Sequence, residues 1–262
     1  MNDLLQRLND LTPVFGIGGL ALFMTVERLW PYFEHGSERP RQRWHNVGMI
    51  LVVFLVVGAL ASVIVLPVVW ADAHRFGLMY RLHVPWLLAT VIGIFLIDLW
   101  NYAQHVTMHS VPALWRIHRV HHADTALDAS SGIRAHPFEI ALLTFTLSCG
   151  MLLLGVPMAS LVIYNAASLP WFLLNHSNLK FPAWFERWGS LLMSTPDWHR
   201  VHHSSHQPET DSHYGCVFSI WDRVFGTAGK ADVATLQFGL DRFRGRDEQT
   251  VWRLLKMPFE KL

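Results

Sequence analysis

Residues 140–174 carry no charged side chain, and neither do residues 47–70. A helix needs about 20 apolar residues to cross the hydrocarbon of a bilayer. The run at 47–70 is therefore one span, and 140–174 is too long for one. "GVP" at 155–157 interrupts the longer run with the residues that turn or kink a helix, so the stretch reads as a tight helical hairpin. Residues 14–33 form a further run broken only by Glu27 and Arg28, and 85–104 holds one charge, Asp98. Charged residues make up only 16% of the chain. A soluble bundle of buried helices does not produce uncharged runs of this length. The expected fold is all-α, with about four to five spanning or half-spanning membrane helices.

Three regions follow. Residues 1–104 supply N-terminal membrane helices, 105–228 form a histidine-rich region that includes the hairpin, and 229–262 form a C-terminal tail. The N-terminus "MNDLLQRLND" lacks the basic start of a cleavable signal, so the first span is expected to stay. The loop at 35–46 carries Arg39, Arg41 and Arg43, against Arg75 and Arg81 at 71–84. The positive-inside rule then places 35–46 in the cytoplasm. Counting spans onward puts 105–138 and 175–262 on that same side, and a bacterial inner membrane is the expected host. A net charge of +1 gives no basic footprint for nucleic acid. Two cysteines, Cys149 and Cys216, supply neither a disulfide framework nor a cysteine-rich zinc site.

The pentapeptide HRVHH occurs at 118–122 and again at 199–203, 81 residues later (199 − 118). Each copy gives H-x2-H-H: His118, His121 and His122, then His199, His202 and His203. His105 and His109 form an H-x3-H pair, while His136 and His176 stand alone in "RAHPFE" and "LLNHSN". Positions three and four apart share a helix face, so each box aims two or three imidazoles in one direction. A lone histidine is better read as a surface or pH-sensing group. Three boxes on one side of a membrane read as a metal centre. Eight to ten histidines exceed the three or four ligands of one zinc and fit two ions. Imidazole suits zinc, copper, iron and nickel alike. Dioxygen activation by iron and two-metal hydrolysis both stay open at this point. The carboxylate ligands of soluble di-iron bundles are absent.

The ordered set "DLWNYAQHVTMHSVPALWRIHRVHH", "RAHPFE", "NHSN", "PDWHRVHHS" and "YGCVFSIWDRVFGT" resembles the fatty acid hydroxylase/sterol desaturase superfamily over about residues 98–228. The resemblance implies an integral-membrane, non-haem di-iron enzyme that uses O2 to hydroxylate or desaturate a lipid C–H bond. Sterol, fatty acyl and related lipids are all open as substrates. Box by box, it implies that His105, His109, His118, His121, His122, His199, His202 and His203 are metal ligands, joined by His176. His136 is a ligand or a residue orienting one. Some members carry a full H-x3-H near His176, where this chain has Phe172 and Lys180, so a ligand is missing or comes from His136 or water. Two irons are expected, with zinc as a possible substitute. No haem, flavin or NAD motif is visible, so electrons come from a separate protein of cytochrome b5, ferredoxin or reductase type.

Other residues stand beside the boxes. Asp98 and Asn101 lie seven and four residues before His105 on one helical face. They are candidates for the catalytic region, with Asp98 orienting an imidazole. Glu139, Asp197, Asp211 and Asp222 are weaker candidates, and Arg134 is expected to pair with Glu139. Trp100, Trp115, Trp171, Trp198 and Trp221 read mainly as interfacial anchors, and His206 and His213 as surface residues. Two competing functions remain: a two-zinc membrane hydrolase and a non-catalytic lipid- or metal-binding relative.

Overall fold

The computed structural model describes residues 3–34 and 39–261. Residues 35–38 of the arginine-bearing loop, with 1, 2 and 262, lie outside the described residues. Among the described residues twelve α-helices follow in order: α1 (Asp3–Leu29), α2 (Arg39–Ala73), α3 (Leu78–Arg81), α4 (Trp86–Ser110), α5 (Pro112–His122), α6 (Pro137–Leu154), α7 (Met158–His176), α8 (Ala183–Gly189), α9 (Pro196–His202), α10 (Gln207–Thr210), α11 (Ile220–Phe225) and α12 (Val251–Lys256). No β-strand forms among the described residues. Five of these helices are long and apolar enough to cross a membrane: α1, α2 over Arg39–Leu60, α4, α6 and α7. Their outward faces carry large apolar side chains such as Leu55, Leu87 and Ile17, exposed by 69–75%, as lipid-facing surfaces require.

The hairpin forms where the sequence places it. α6 ends at Gly155 in the left-handed region (φ 69°), and Pro157 caps the start of α7. Gly77, also left-handed (φ 113°), packs directly on this turn: a Cβ on it would lie 2.3 Å from the Gly155 nitrogen. Glycine is required there by both conformation and space.

At the opposite end, the helices meet a polar cap. Glu27, near the end of α1, accepts from the backbone nitrogens of Ala129 (2.9 Å) and Asn178 (2.6 Å). Arg43 bridges Glu27 (3.2 Å) and Asp128 (2.6 Å), and Arg39 also reaches Asp128 at 2.6 Å. Two of the three arginines behind the orientation count are thus paired with buried carboxylates. The tail joins the same body, because Phe243, Leu254 and Met257 pack with Met49 of α2 and with Val120 and Ala123 around α5.

Candidate metal centre

Four elements deliver nine imidazoles to the capped end of the bundle. α4 brings His105 and His109, α5 brings His118, His121 and His122, α7 ends on His176, and α9 leads into His199, His202 and His203. They sort into two groups. His105, His109, His118, His122 and His202 form one, and His121, His176, His199 and His203 the other. Within each group the available nitrogens all lie within 4.8 Å of one another.

The repeated pentapeptide has a geometric meaning. The first copy gives its i, i+4 pair, His118 and His122, to the first group and His121 to the second. The second copy does the reverse: His199 and His203 enter the second group, and His202 crosses to the first. Each box therefore stitches both groups together.

These imidazoles fit metal ions, on grounds of their own hydrogen bonding. His121 Nδ1 faces the Arg134 carbonyl (3.0 Å) and His176 Nδ1 the Phe172 carbonyl (2.8 Å), so each carries its hydrogen on Nδ1. Their Nε2 atoms nevertheless stand 3.2 Å apart, lone pair toward lone pair. In the first group, His105 Nδ1 faces the Tyr214 carbonyl (2.8 Å) and His118 Nδ1 the Glu139 carboxylate (2.7 Å), and again their Nε2 atoms meet at 3.2 Å. The Nε2 atoms of His109 and His202 are buried with no partner. Burial holds His118 and His121 down to about pKa 3 and pushes His122, His199, His202 and His203 well below the usual imidazole range. Neutral, convergent lone pairs repel one another unless a cation sits among them. Both groups are all-histidine and could each hold one ion.

The partners that orient the rings differ between the groups. Asp211 Oδ1 meets His109 Nδ1 at 3.1 Å, the Ser212 carbonyl meets His202 Nδ1 at 2.7 Å, and Tyr214 and Glu139 serve His105 and His118. Three of the four come from residues 211–214. His213, at the middle of this turn, adopts φ 55° and is buried against Trp198, with ring centroids 3.9 Å apart. It is not a surface residue as expected, because the left-handed turn tucks it beneath Trp198. His206 is exposed.

Several sequence candidates act elsewhere. His136 lies outside both groups, with Nε2 donating to the Leu255 carbonyl (3.2 Å) and Nδ1 accepting from the Phe138 nitrogen (3.2 Å). It caps α6, and neither nitrogen is left for a metal. Asp98 touches no imidazole: it accepts from Tyr164 (2.6 Å), Trp221 (2.8 Å) and the nitrogens of Val217 and Phe218. Asn101 donates to Tyr164 at 3.1 Å. Arg134 pairs with Asp124 (3.6 Å) and Gln249 (2.8 Å) rather than with Glu139, since Glu139 is committed to His118. Trp171, Trp198 and Trp221 each donate to an internal acceptor, so the exposed tryptophans are others, such as Trp86, Trp184 and Trp188.

The arginine inside each HRVHH was not singled out by sequence. Arg119 donates to the carbonyls of Met257 and Glu260, and Arg200 to those of Ser177 and Leu179 (both 2.6 Å). Both are buried. Each clamps a second chain segment, 257–260 or 177–179, to the helix that carries its histidines.

An apolar cavity of about 600 Å³ opens off the histidines between α2, α4, α6 and α7. His105, His118, His121, His176 and His199 form its polar end, and Val53, Phe54, Leu147, Met151 and Leu161 line its length.

The fatty acid hydroxylase family matches residues 90–227, just over half of the chain, and the protein belongs to that family. Over 219 residues it is 27% identical to the ornithine lipid hydroxylase OlsE of Rhizobium tropici, covering 79% of this chain and 64% of that one. Human alkylglycerol monooxygenase is 27% identical over 162 residues, 61% of this chain and 34% of its own. The methylsterol monooxygenase erg25B of Aspergillus fumigatus is 29% identical over 178 residues, 62% of this chain and 57% of its own. The chain thus spans less than two thirds of the length of each of these relatives. No solved structure matches it. These three relatives are a lipid hydroxylase and two monooxygenases, and the five apolar helices make the chain an integral membrane protein.

Proposed function

We propose that this protein is an O2-dependent di-iron monooxygenase acting on a C–H bond of a membrane lipid. The observation that carries the reading is the apolar cavity ending on two all-histidine groups. His105, His109, His118, His122 and His202 would hold one iron, and His121, His176, His199 and His203 the other. When bound, the irons would supply activation of O2. Hydroxylation consumes one O2, two electrons and two protons and yields an alcohol and water. The electrons come from a separate electron-transfer protein, and the histidine end faces the cytoplasm of a bacterial inner membrane.

The chain's own residues then have defined tasks. The cavity binds the hydrocarbon of the substrate and keeps water from the reacting carbon. Glu139, Asp211 and the carbonyls of Arg134, Phe172, Ser212 and Tyr214 keep the hydrogen of six of the nine imidazoles, His105, His109, His118, His121, His176 and His202, on Nδ1 and would leave their lone pairs for the metal. Asp98 and Asn101 hold Tyr164 in the cavity wall.

The test is metal analysis with Mössbauer spectroscopy on iron-57-enriched protein purified anaerobically in detergent. Two coupled irons per chain are expected, followed by an oxidised lipid in the host's lipid extract. Two zincs and no iron after iron-replete expression would replace this reading with a two-zinc hydrolase.

A further inference from the structure

Asp98 is a carboxylate in the middle of a membrane helix that serves no metal ligand, and what it does bind is informative. α4 is 25 residues long, or about 37 Å at roughly 1.5 Å per residue, against a hydrocarbon thickness of about 30 Å. Asp98 lies seven residues before His105, about 10 Å deeper along the axis, and Phe95 is near the middle of the helix. Asp98 takes the backbone nitrogens of Val217 and Phe218 and the Trp221 indole. Phe95 stacks on Phe218 with centroids 5.1 Å apart. On α7, Trp171 donates to the Ser194 carbonyl (2.8 Å) and Asn175 to that of Cys216 (3.3 Å). Residues 190–194 and 216–221 therefore lie alongside the spans, deeper than the histidines.

Non-helical backbone at such depth is tolerated only when its polar groups are satisfied within the protein. Here they are. Ser194 N donates to Val217 O (2.8 Å) and Ser219 N to Leu192 O (3.1 Å), while Ser219 Oγ and Arg223 both donate to Ser190 O. Asp222, fully buried, accepts from the nitrogens of Tyr214 (2.7 Å) and Gly215 (2.9 Å). Large apolar side chains of the same segments face outward: Leu191, Leu192, Val224 and Phe225 are 45–63% exposed, with Trp184 and Trp188 at 66% and 60%, and Arg223 is the exposed charge among them. Arg187 lies over the Trp188 ring, and Arg223 over Trp198. Aromatic rings with adjacent cations are the side chains that favour the headgroup level.

We propose that residues 190–193 and 216–225 re-enter the bilayer beside α4 and α7, with Leu191, Leu192, Val224 and Phe225 against acyl chains and Trp184 and Trp188 at the headgroups. Part of the cap that the sequence assigns to the cytoplasm is then a lip inside the leaflet on the histidine side. Cys216 on this lip also lines the cavity, so the lip borders the cavity on that flank. The inference rests on the membrane-spanning helices and is independent of the metal identity and the reaction.

The test places single cysteines at Leu192→Cys and Phe225→Cys in a Cys149→Ser/Cys216→Ser background. Leu87→Cys in a span and His206→Cys on the cap are the controls. Each is labelled with a nitrobenzoxadiazole maleimide in nanodiscs containing either nitroxide-tailed lipid or aqueous iodide, and the unmodified background sets the blank. Labels at 192 and 225 are expected to be quenched several-fold more by the tail nitroxide than by iodide, as at 87. Quenching by iodide as strong as at 206 would overturn the proposal. So would protection from both quenchers that depends on the protein-to-lipid ratio, which would mean that a second copy covers this face.

Discussion

The two histidine groups have the same chemistry but different surroundings. The first is oriented by side chains and by a strained turn: Glu139, Asp211 and the carbonyls of Ser212 and Tyr214. Asp211 is 40% exposed, so this group has a route to the protein surface. The second group is buried at all four members, and of the two orienting carbonyls it uses, that of Arg134 is buried and that of Phe172 lies beside the cavity. The difference implies a first site that exchanges its ion with the aqueous side more readily, and a second that is sealed from the protein surface and open only to the cavity, which His121, His176 and His199 line.

The largest effect that can break this comparison comes from ligand removal. His118→Ala should empty only the first site and His199→Ala only the second, each leaving about one iron per chain. Lipid oxidation should fall in both by more than the roughly 100-fold seen when only an orienting partner is lost. Iron analysis and Mössbauer spectra of the two variants check this. If each loses both irons, the crossing of His121 and His202 makes the groups one cooperative unit, and the comparison fails.

The reason the sequence shows the candidate ligands but not this division is physical. Spacing of three and four is a local property of one helix, so the boxes, the spans and the Gly155 turn are all legible. The exchange of His121 and His202 between groups depends on how α5 and α9 face each other across 81 residues, and no local pattern encodes that. The orienting groups are mostly backbone carbonyls, which leave no residue-type signal. Asp98 was recognisable as an intramembrane charge, yet its partners, Tyr164, Trp221 and the backbone nitrogens of Val217 and Phe218, lie 66 to 123 residues away. His213 looked superficial because its burial follows from a left-handed φ rather than from its neighbours in sequence.

Next in size are the orienting carboxylates. Asp211→Ala and Glu139→Gln should each weaken metal binding at the first site by about 10–100-fold while leaving the second unchanged. Chelator competition on iron-loaded protein, read as one fast and one slow fraction, measures this. A loss shared by both fractions would mean that the first site's surroundings support the second as well.

Acid should treat the two groups alike. His118 in one and His121 in the other have folded pKa values of about 3, against about 6.5 when unfolded. As pH falls below about 6.5 the unfolded chain takes up protons that the folded chain refuses until near 3. Stability of the metal-free protein therefore declines with acidification through that window. Unfolding midpoints at pH 8, 6.5 and 5 should fall in that order, and His118→Gln and His121→Gln should each flatten the slope by a similar amount.

The smallest expected effect probes the sealed site from behind. Gly132 approaches His176 so closely that an added Cβ would lie 3.0 Å from its Nδ1 and 3.1 Å from the Phe172 carbonyl that holds it. Both atoms belong to one hydrogen bond of 2.8 Å, so the methyl must push the ring, the carbonyl or the 129–133 turn by a few tenths of an ångström. Overpacking of this kind costs about 1 kcal/mol at the low end of its range. Gly132→Ala should accordingly lower the thermal midpoint slightly and weaken ion retention at the second site a few-fold, with the first site unaffected. If the ion at the first site loosens instead, the push travels through His121, whose Nε2 stands 3.2 Å from that of His176, and the two surroundings are mechanically joined rather than separate.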